Sequence, residues 1–488
     1  MLQWSKAHQR PDISCFKFRM DDSVSQFRLE RAHLQSYREK NPELLQPRRP
    51  FTYAETLRRI GITVDFGPLP QGYLNLYPQD FIVEEIDQAG GVHTIEPEPA
   101  APPPPRPNAS SSLYVDLVKV GLSTIEAVAD LAAAANLSFN QITYAGIKDK
   151  VAITSQQIAI RGADAAAVAG AQLRGSFLKN FYWGSGTLSK GALQGNRFVI
   201  VVRTPTTLGQ GWLDRSLAAV RGGFHNFYFF QRFGSPRLIS HQLGRLLLQE
   251  QYEQVVRALL GEVGIQDVPL LNQLRRQALE TFGDWPQVET ILSPLRYTFR
   301  LELKLVRHLR DHPGDYVGAL KTIADQTTLW VYAYASYLFN LDLSERINAA
   351  APVPAQLPLL LNPNHRTVET YDRSLRRDGI ADIRVPLKRL FQHAPIYAKN
   401  VCVTTAPVTI QRAKILDRGV AIAFQLPGGA YATTFLAHLF TLYQGLPLPA
   451  WLDERRHDSK ALLGLGSVAV AESILGPYIY SHAADSQQ

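Results

Sequence analysis

The chain is poor in cysteine, in long apolar runs and in the short signatures of common enzymes, and each shortage excludes something. Cys15 and Cys402 are its only cysteines. They are far apart and without metal-ligand spacing, so neither a disulfide framework nor a zinc knuckle is available, and a reducing, cytoplasmic setting is expected. No stretch reaches the roughly 18 uninterrupted apolar residues of a membrane span; the best candidate, Ala461 to Ala471, stops at Glu472. The opening MLQWSKAHQRPD has no apolar signal-peptide core, so a soluble protein is expected. Also missing are G-x-x-x-x-G-K-[ST], a strand-bounded G-x-G-x-x-G, G-x-S-x-G and H-E-x-x-H, which removes the best sequence evidence for nucleotide and hydrolase chemistry.

Among what is present, a net charge of +8 points to a polyanionic partner without separating RNA from DNA or an acidic membrane surface. Residues 1–60 carry 12 Lys/Arg against 7 Asp/Glu, which is +5 of that excess. This stretch is either a nucleic-acid-contacting extension or a solvated basic helix. The 488 residues, 45% of them hydrophobic, predict two or three domains with substantial cores.

Patterning divides the chain further. Residues 23–45 space Val24, Phe27, Leu34 and Tyr37 as an amphipathic helix would, before Pro47 and Pro50 break it. YPQDFIVEEI (77–86) alternates as a half-buried strand, and EPEPAAPPPPRPNASSS (96–112) reads as an extended, solvated loop. LYVDLVKV (113–120) alternates again; Ser123 and Glu126 then form an S-x-x-E capping box that starts a helix to Asn136, a βαβ-like arrangement. GNRFVIVVR (195–203) is the clearest strand, a β-branched run bounded by glycine and proline. Residues 234–399 turn helical and charged, 401–410 and 419–425 return to strand patterning, and a last helix is expected over 432–443. The expected organisation is an extension (1–65), a catalytic domain in two parts (66–222 and 400–488) and an inserted, mostly helical domain (223–399).

Three stretches invite chemistry. In YAGIKDKVAITSQQ (144–157), Asp149 sits between Lys148 and Lys150; nearby cations keep a carboxylate ionised, as a nucleophile or base requires. Alone, it reads more readily as a turn cap after Gly146. Asn196 and Phe198, two apart on one strand, share a face, so an amide and an aromatic ring lie where a flipped base could be read and stacked. The competing reading makes Phe198 core and Asn196 a turn residue. FYFFQRF (227–233) is either core or a stacking platform. His308 and His312, one helical turn apart between arginines, read as surface histidines before a metal pair.

Taken together these stretches resemble the TruD family of pseudouridine synthases, over most of the chain beyond residue 66. YAGIKDKVAITSQ is similar position for position to that family's Y/F-A-G-x-K-D-K-x-A-x-T-x-Q segment. GNRFVIVVR resembles its G-N-x-F strand, NFYFFQRFG (226–234) its N-Y-F-G-x-Q-R-F-G, and PQDFIVEE (78–85) its P-E-D-F-x-V-x-E. YASYLFN (334–340) with Ser344 and Arg346, and LPGGAYAT (426–433), match later blocks in the same order. The resemblance implies an α+β pseudouridine synthase fold, with a largely antiparallel or mixed sheet. It implies an enzyme that isomerises uridine in RNA without metal or organic cofactor, with tRNA uridine 13 the expected target.

The resemblance makes Asp149 the catalytic residue. It leaves open attack on the sugar, attack on the base, or proton abstraction at C2′. It further implies substrate contacts from Phe81, Lys148, Asn196, Phe198, Asn226, Gln231 and Arg232. The departures are Asn75 where a lysine is expected, His225 and Phe229 for proline and glycine, Ala335 for glutamine, and Ala437-His438 for Arg-Glu. Arg373, Arg376, Arg377, Arg384, Lys388 and Arg389 are candidate phosphate contacts on a basic cleft. A monomer with no membrane association is expected. Two alternatives stand beside this reading: an RNA-binding or chaperone protein of little catalytic power, and a synthase acting on rRNA, mRNA or another tRNA position.

Overall fold

Period-two apolar runs build a ten-stranded sheet. The computed structural model describes residues 30, 33–34, 37, 39–46, 52–97, 103–264, 267–360, 365–383, 385–386, 401–445 and 448–476. They fall into two units: Asp65–Asn226 with Val403–Gln488, and Met1–Val64 with Phe227–Cys402.

The sheet lies in the first of these. Its strands are β1 (Gln71–Leu74), β2 (Phe81–Ile86), β3 (Ser112–Lys119), β4 (Ile142–Tyr144), β5 (Ile153–Arg161), β6 (Ser176–Gly184), β7 (Gly195–Arg203), β8 (Thr409–Leu416), β9 (Gly419–Pro427) and β10 (Thr441–Gln444). Side by side they run β8-β9-β7-β2-β5-β3-β6, with β1 beside β7 and β10, and β4 beside β5. β2–β5 and β1–β10 are parallel; the other pairs are antiparallel. β7 and β9 pair from Gly195↔Pro427 to Arg203↔Gly419, which joins the two sequence segments of this unit along their full strand length. The architecture is α+β.

Alternation then decides the layers. Phe81, Val83, Phe198, Ile200, Val202, Ile422 and Phe424 face one core, covered by helices Gln210–Val220 and Ala432–Leu436. Ile82, Val199, Val201, Ala421 and Ala423 face the other, where Leu463, Ala471 and Leu475 close over them. Helix Thr124–Ala134 begins at the capping box expected from Ser123 and Glu126 and packs Val128 and Leu131 against β3 and β5. β3 and β4 flank it as a parallel pair separated by β5, to which both are antiparallel.

Two sequence expectations are corrected here. β2 is not half-buried: all six residues are buried, Glu84 and Glu85 included, because β5 and β7 flank it and buried cations neutralise both carboxylates. The helix expected over 432–443 ends at Leu436; residues 441–444 form β10, drawn into the sheet by β1. Two further short helices follow, Ser459–Leu462 and Ala469–Leu475. Of the proline-rich loop, residues 108–111 turn into β3, and the stretch before them meets β6, where Trp183 Nε1 donates to the Pro104 carbonyl (2.7 Å) and the Arg106 guanidinium lies 5.4 Å from the Trp183 ring.

The second unit is helical. Its longest helix, Ala324–Asn348, meets helix Ser240–Leu248 so closely that a Cβ on Gly244 would lie 2.0 Å from the Trp330 carbonyl oxygen. Asn340, fully buried, donates to the Ile60 and Tyr228 carbonyls and accepts from the Tyr228 amide, while Ser344 donates to the Gly61 carbonyl. The family block around residues 334–346 is thus a bracket holding both the end of helix Tyr53–Arg59 and the aromatic run. Most of the helix expected over 23–45 lies outside the described residues; the described ones from Glu30 to Lys40 are helical. Glu30 is buried and accepts from the Tyr297 and Thr298 amides.

Candidate active site

Asn196 and Phe198 share a face of β7, as their spacing required. β2 places Glu85 opposite Asn196 and Val83 opposite Phe198, so an acid, an amide and an aromatic ring meet on one side of the sheet. Lys148 enters this group from the loop between β4 and β5. Its Nζ lies 2.6 Å from a Glu85 carboxylate oxygen and donates to Asn196 Oδ1 at 2.7 Å, with its side chain only 4% exposed. A buried, hydrogen-bonded ion pair costs desolvation that only close geometry offsets, and here it fixes the loop to two strands. Glu85 is the final residue of the P-x-D-F-x-V-x-E resemblance, and it passed unnoticed as a site residue because its partner is 63 positions away.

The rest of the loop is bound from four sides. Thr124 Oγ1, at the start of helix Thr124–Ala134, accepts from the Lys148 amide (2.9 Å) and donates to Gln156 Oε1 (2.7 Å). Gln156 Nε2 donates to the Gly146 carbonyl (2.9 Å), and the Gly191 amide to the Ala145 carbonyl (2.7 Å). Lys119 Nζ donates to the Asp149 carbonyl (2.9 Å). Thr124 and Lys119 are not distinguishable in sequence from ordinary helix and strand residues, whereas Gln156 closes the Y/F-A-G-x-K-D-K-x-A-x-T-x-Q resemblance. Held this way, the backbone leaves the Asp149 side chain exposed between Ile147 and Val151, which are 64% and 44% exposed.

The two lysines beside Asp149 do not flank it as a matched pair. Lys148 turns inward to Glu85, and Lys150 pairs with Glu126 at 3.0 Å across the start of the helix.

Phe81 and Phe198 are 3% and 5% exposed and meet edge to face at 6.2 Å, while Phe198 stacks on Phe424 at 5.3 Å. Asn226 is buried where the two segments of this unit meet; its amide donates to the Thr404 carbonyl and its Nδ2 to that of Val403. Gln231 and Arg232 belong to the helical unit, Gln231 exposed and the Arg232 guanidinium 5.3 Å from the Tyr228 ring. The structure therefore brings Lys148 to Asn196 and Phe81 to Phe198, buries Asn226 elsewhere in the same unit, and places Gln231 and Arg232 on the other unit. Asn75, where a lysine was expected, adopts a left-handed φ of 56°, a conformation asparagine tolerates better than lysine. His308 pairs with Asp315 at 2.9 Å, and no cluster of metal-ligating side chains occurs among the described residues.

The family model of tRNA pseudouridine synthase D (TruD) matches residues 68–369, well over half of the chain. The chain belongs to the TruD family. A Methanopyrus kandleri member named "Probable tRNA pseudouridine synthase D" is 31% identical over 343 residues, 66% of this chain and 84% of its own length. A Pyrococcus furiosus member of the same name is 30% identical over 291 residues, 59% of this chain and 64% of its own. Against the Methanococcoides burtonii relative the match spans 55% of that protein. The fold is likewise that of TruD: a Methanosarcina mazei crystal structure assigned to it aligns with a TM-score of 0.57 over 78% of this chain and 97% of its own, at 22% identity. No helix among the described residues is long and apolar enough to cross a membrane.

Proposed function

We propose that the protein converts a uridine of tRNA, uridine 13 of the D arm, to pseudouridine, and that the Asp149 carboxylate acts on the bond to be broken. The reaction is an isomerisation. The bond from ribose C1′ to uracil N1 breaks, one from C1′ to C5 forms, C5 gives up a proton and N1 gains one. Atoms and electrons balance without an oxidant or a second substrate, so positioning and charge are what the protein must supply.

The observation that carries the reading is how the loop is held: Lys148 anchors it to Glu85 and Asn196 and Lys150 to Glu126, and its backbone, bound from four sides, keeps Asp149 at the surface. The aromatic ring of Phe198, on the same face of β7 as Asn196, is the group we assign to the base, with Phe81 beside it. Gln231 and Arg232 are assigned to the RNA from the helical unit, and the protein is taken to act as a monomer in the cytoplasm.

The test is position-resolved mapping of pseudouridine in unmodified tRNA transcripts with wild type and Asp149→Asn. A single signal at uridine 13 that Asp149→Asn abolishes while tRNA still binds is expected. Turnover by Asp149→Asn would remove Asp149 from the chemistry; a signal elsewhere would move the target; binding without product on total RNA would favour an RNA-binding protein.

A further inference from the structure

Lys119 ends β3 with its side chain fully buried, a position lysine seldom occupies because the ammonium loses its hydration. Its Nζ donates to the Leu122 carbonyl at 2.8 Å and the Asp149 carbonyl at 2.9 Å, and approaches that of Lys148 at 3.5 Å. Those carbonyls belong to the turn before helix Thr124–Ala134 and to the loop presenting the exposed carboxylate, so one side chain spans both. An apolar residue would fill the same space with less desolvation, but could neither bind carbonyls nor direct charge at Asp149. The charged groups facing the ammonium are Asp149, Lys148 and Lys150 from the loop and Glu126 from the helix. Its register partners on the flanking strands, Thr154 of β5 and Ser176 of β6, carry no titratable group.

We infer that Lys119 is a positioning residue for the reaction assigned to Asp149: its ammonium fixes the Lys148–Asp149 backbone and directs a positive charge at the reacting carboxylate, so that turnover requires Lys119 to be protonated. The inference rests on the reading of Asp149 given above. Burial, partly opposed by the attraction of Asp149 and Glu126, brings the ammonium down from its ordinary value to about 8. Above that pH the side chain loses one of its three N–H donors and its charge together, and the loop loses both the tether and the field.

The experiment measures single-turnover pseudouridine formation in an unmodified tRNA transcript from about pH 6 to about pH 9.5, with tRNA affinity measured at each pH. Wild type, Lys119→Arg, Lys119→Met and Asp149→Asn are compared. The wild-type rate is expected to fall about tenfold per unit once the pH passes about 8, as loss of a single proton requires. Lys119→Arg, whose guanidinium stays charged, is expected to keep its rate to the top of the range. Lys119→Met is expected to be slower by about 10²-fold throughout, the loss that follows a misplaced reacting group, with affinity retained and no step near pH 8.

If Lys119→Arg and Lys119→Met reproduce the wild-type rate and profile while Asp149→Asn is inactive, the Lys119 inference falls and the Asp149 reading survives. Activity in Asp149→Asn instead removes the Asp149 reading, and this inference with it. Should Lys119→Met fail to fold, the Lys119→Arg comparison decides; should both fail, a wild-type profile flat to about pH 9.5 overturns the inference and a single step near 8 supports it.

Discussion

At the scale of single residues, the site depends on burying charges whose partners are close. Glu85 and Lys148 are almost fully enclosed, so neutralising one strands the other. Glu85→Gln is expected to lower unfolding stability by about 3–5 kcal/mol, and Glu85→Gln/Lys148→Met to recover a large part of that, because with Lys148 also uncharged no unpaired charge is left buried. Urea midpoints of the two variants check this; a double variant as unstable as the single would argue that the ion pair itself is not what matters. Two histidines, His241 buried and His438 half-buried, make the fold less stable as the pH is lowered. Burial pushes His438, whose Nδ1 bonds the Thr434 carbonyl, down to about 4, and His241, stacked at 4.8 Å on Tyr337, down to about 3. An unfolded histidine protonates near 6.5. Below that pH the unfolded chain binds more protons than the native one, so stability falls as the pH is lowered from 6.5 toward 4. Moving from pH 7 to about pH 5 should therefore weaken wild type more than His438→Leu, by on the order of 2 kcal/mol in urea titrations.

At the scale of elements, β7 and β9 carry the sheet, and they approach each other most closely at one end. A Cβ on Gly195 would stand 2.0 Å from the Leu426 carbonyl oxygen, on backbone that cannot swing aside. Gly195→Ala is expected to cost about 2 kcal/mol or more and to displace Asn196, the next residue, from Lys148. Thermal unfolding together with activity measures both; an unchanged midpoint would mean that the strands separate without penalty. The loop between β4 and β5 is positioned in the same spirit. Thr124 and Gln156 lie on a helix and a strand already fixed by their own apolar faces, so the hydrogen bonds they give the loop inherit that rigidity.

At the scale of the whole molecule, an RNA substrate is held largely by charge. Arg373, Arg376 and Arg377 are exposed on helix His365–Arg377, with Arg376 and Arg377 paired to Asp372 and Asp378; Arg384, Lys388 and Arg389 lie outside the described residues. Replacing the three described arginines by glutamine should make the salt dependence of tRNA binding shallower, its log–log slope falling by about 0.7–0.9 for each phosphate no longer neutralised. An unchanged slope, measured by filter binding, would return them to an ordinary solvated helix. Toward the basic start of the chain, Glu30, Ile60 and Gly61 are bound by residues of the helical unit. Removing residues 1–60 would therefore unfold packing as well as take away charge.

By itself the sequence determined what acts within a few residues. Ser123 and Glu126 start their helix where the capping box said, and Gly195–Arg203 is a strand with the limits its β-branched run and bounding glycine and proline predicted. The Asp149 segment was legible as a candidate site because residues 144–156 are contiguous. Only the tertiary structure decided which way Lys148 points, why Glu84 and Glu85 can be buried, and that residues 441–444 are strand and not helix. The physical reason is common to all three. A cap or a β-branched run is a local preference, whereas a counter-ion or an open sheet edge is supplied by a residue far along the chain. Lys148, Arg197 and Lys460 find their carboxylates on β2 only once the strands have paired.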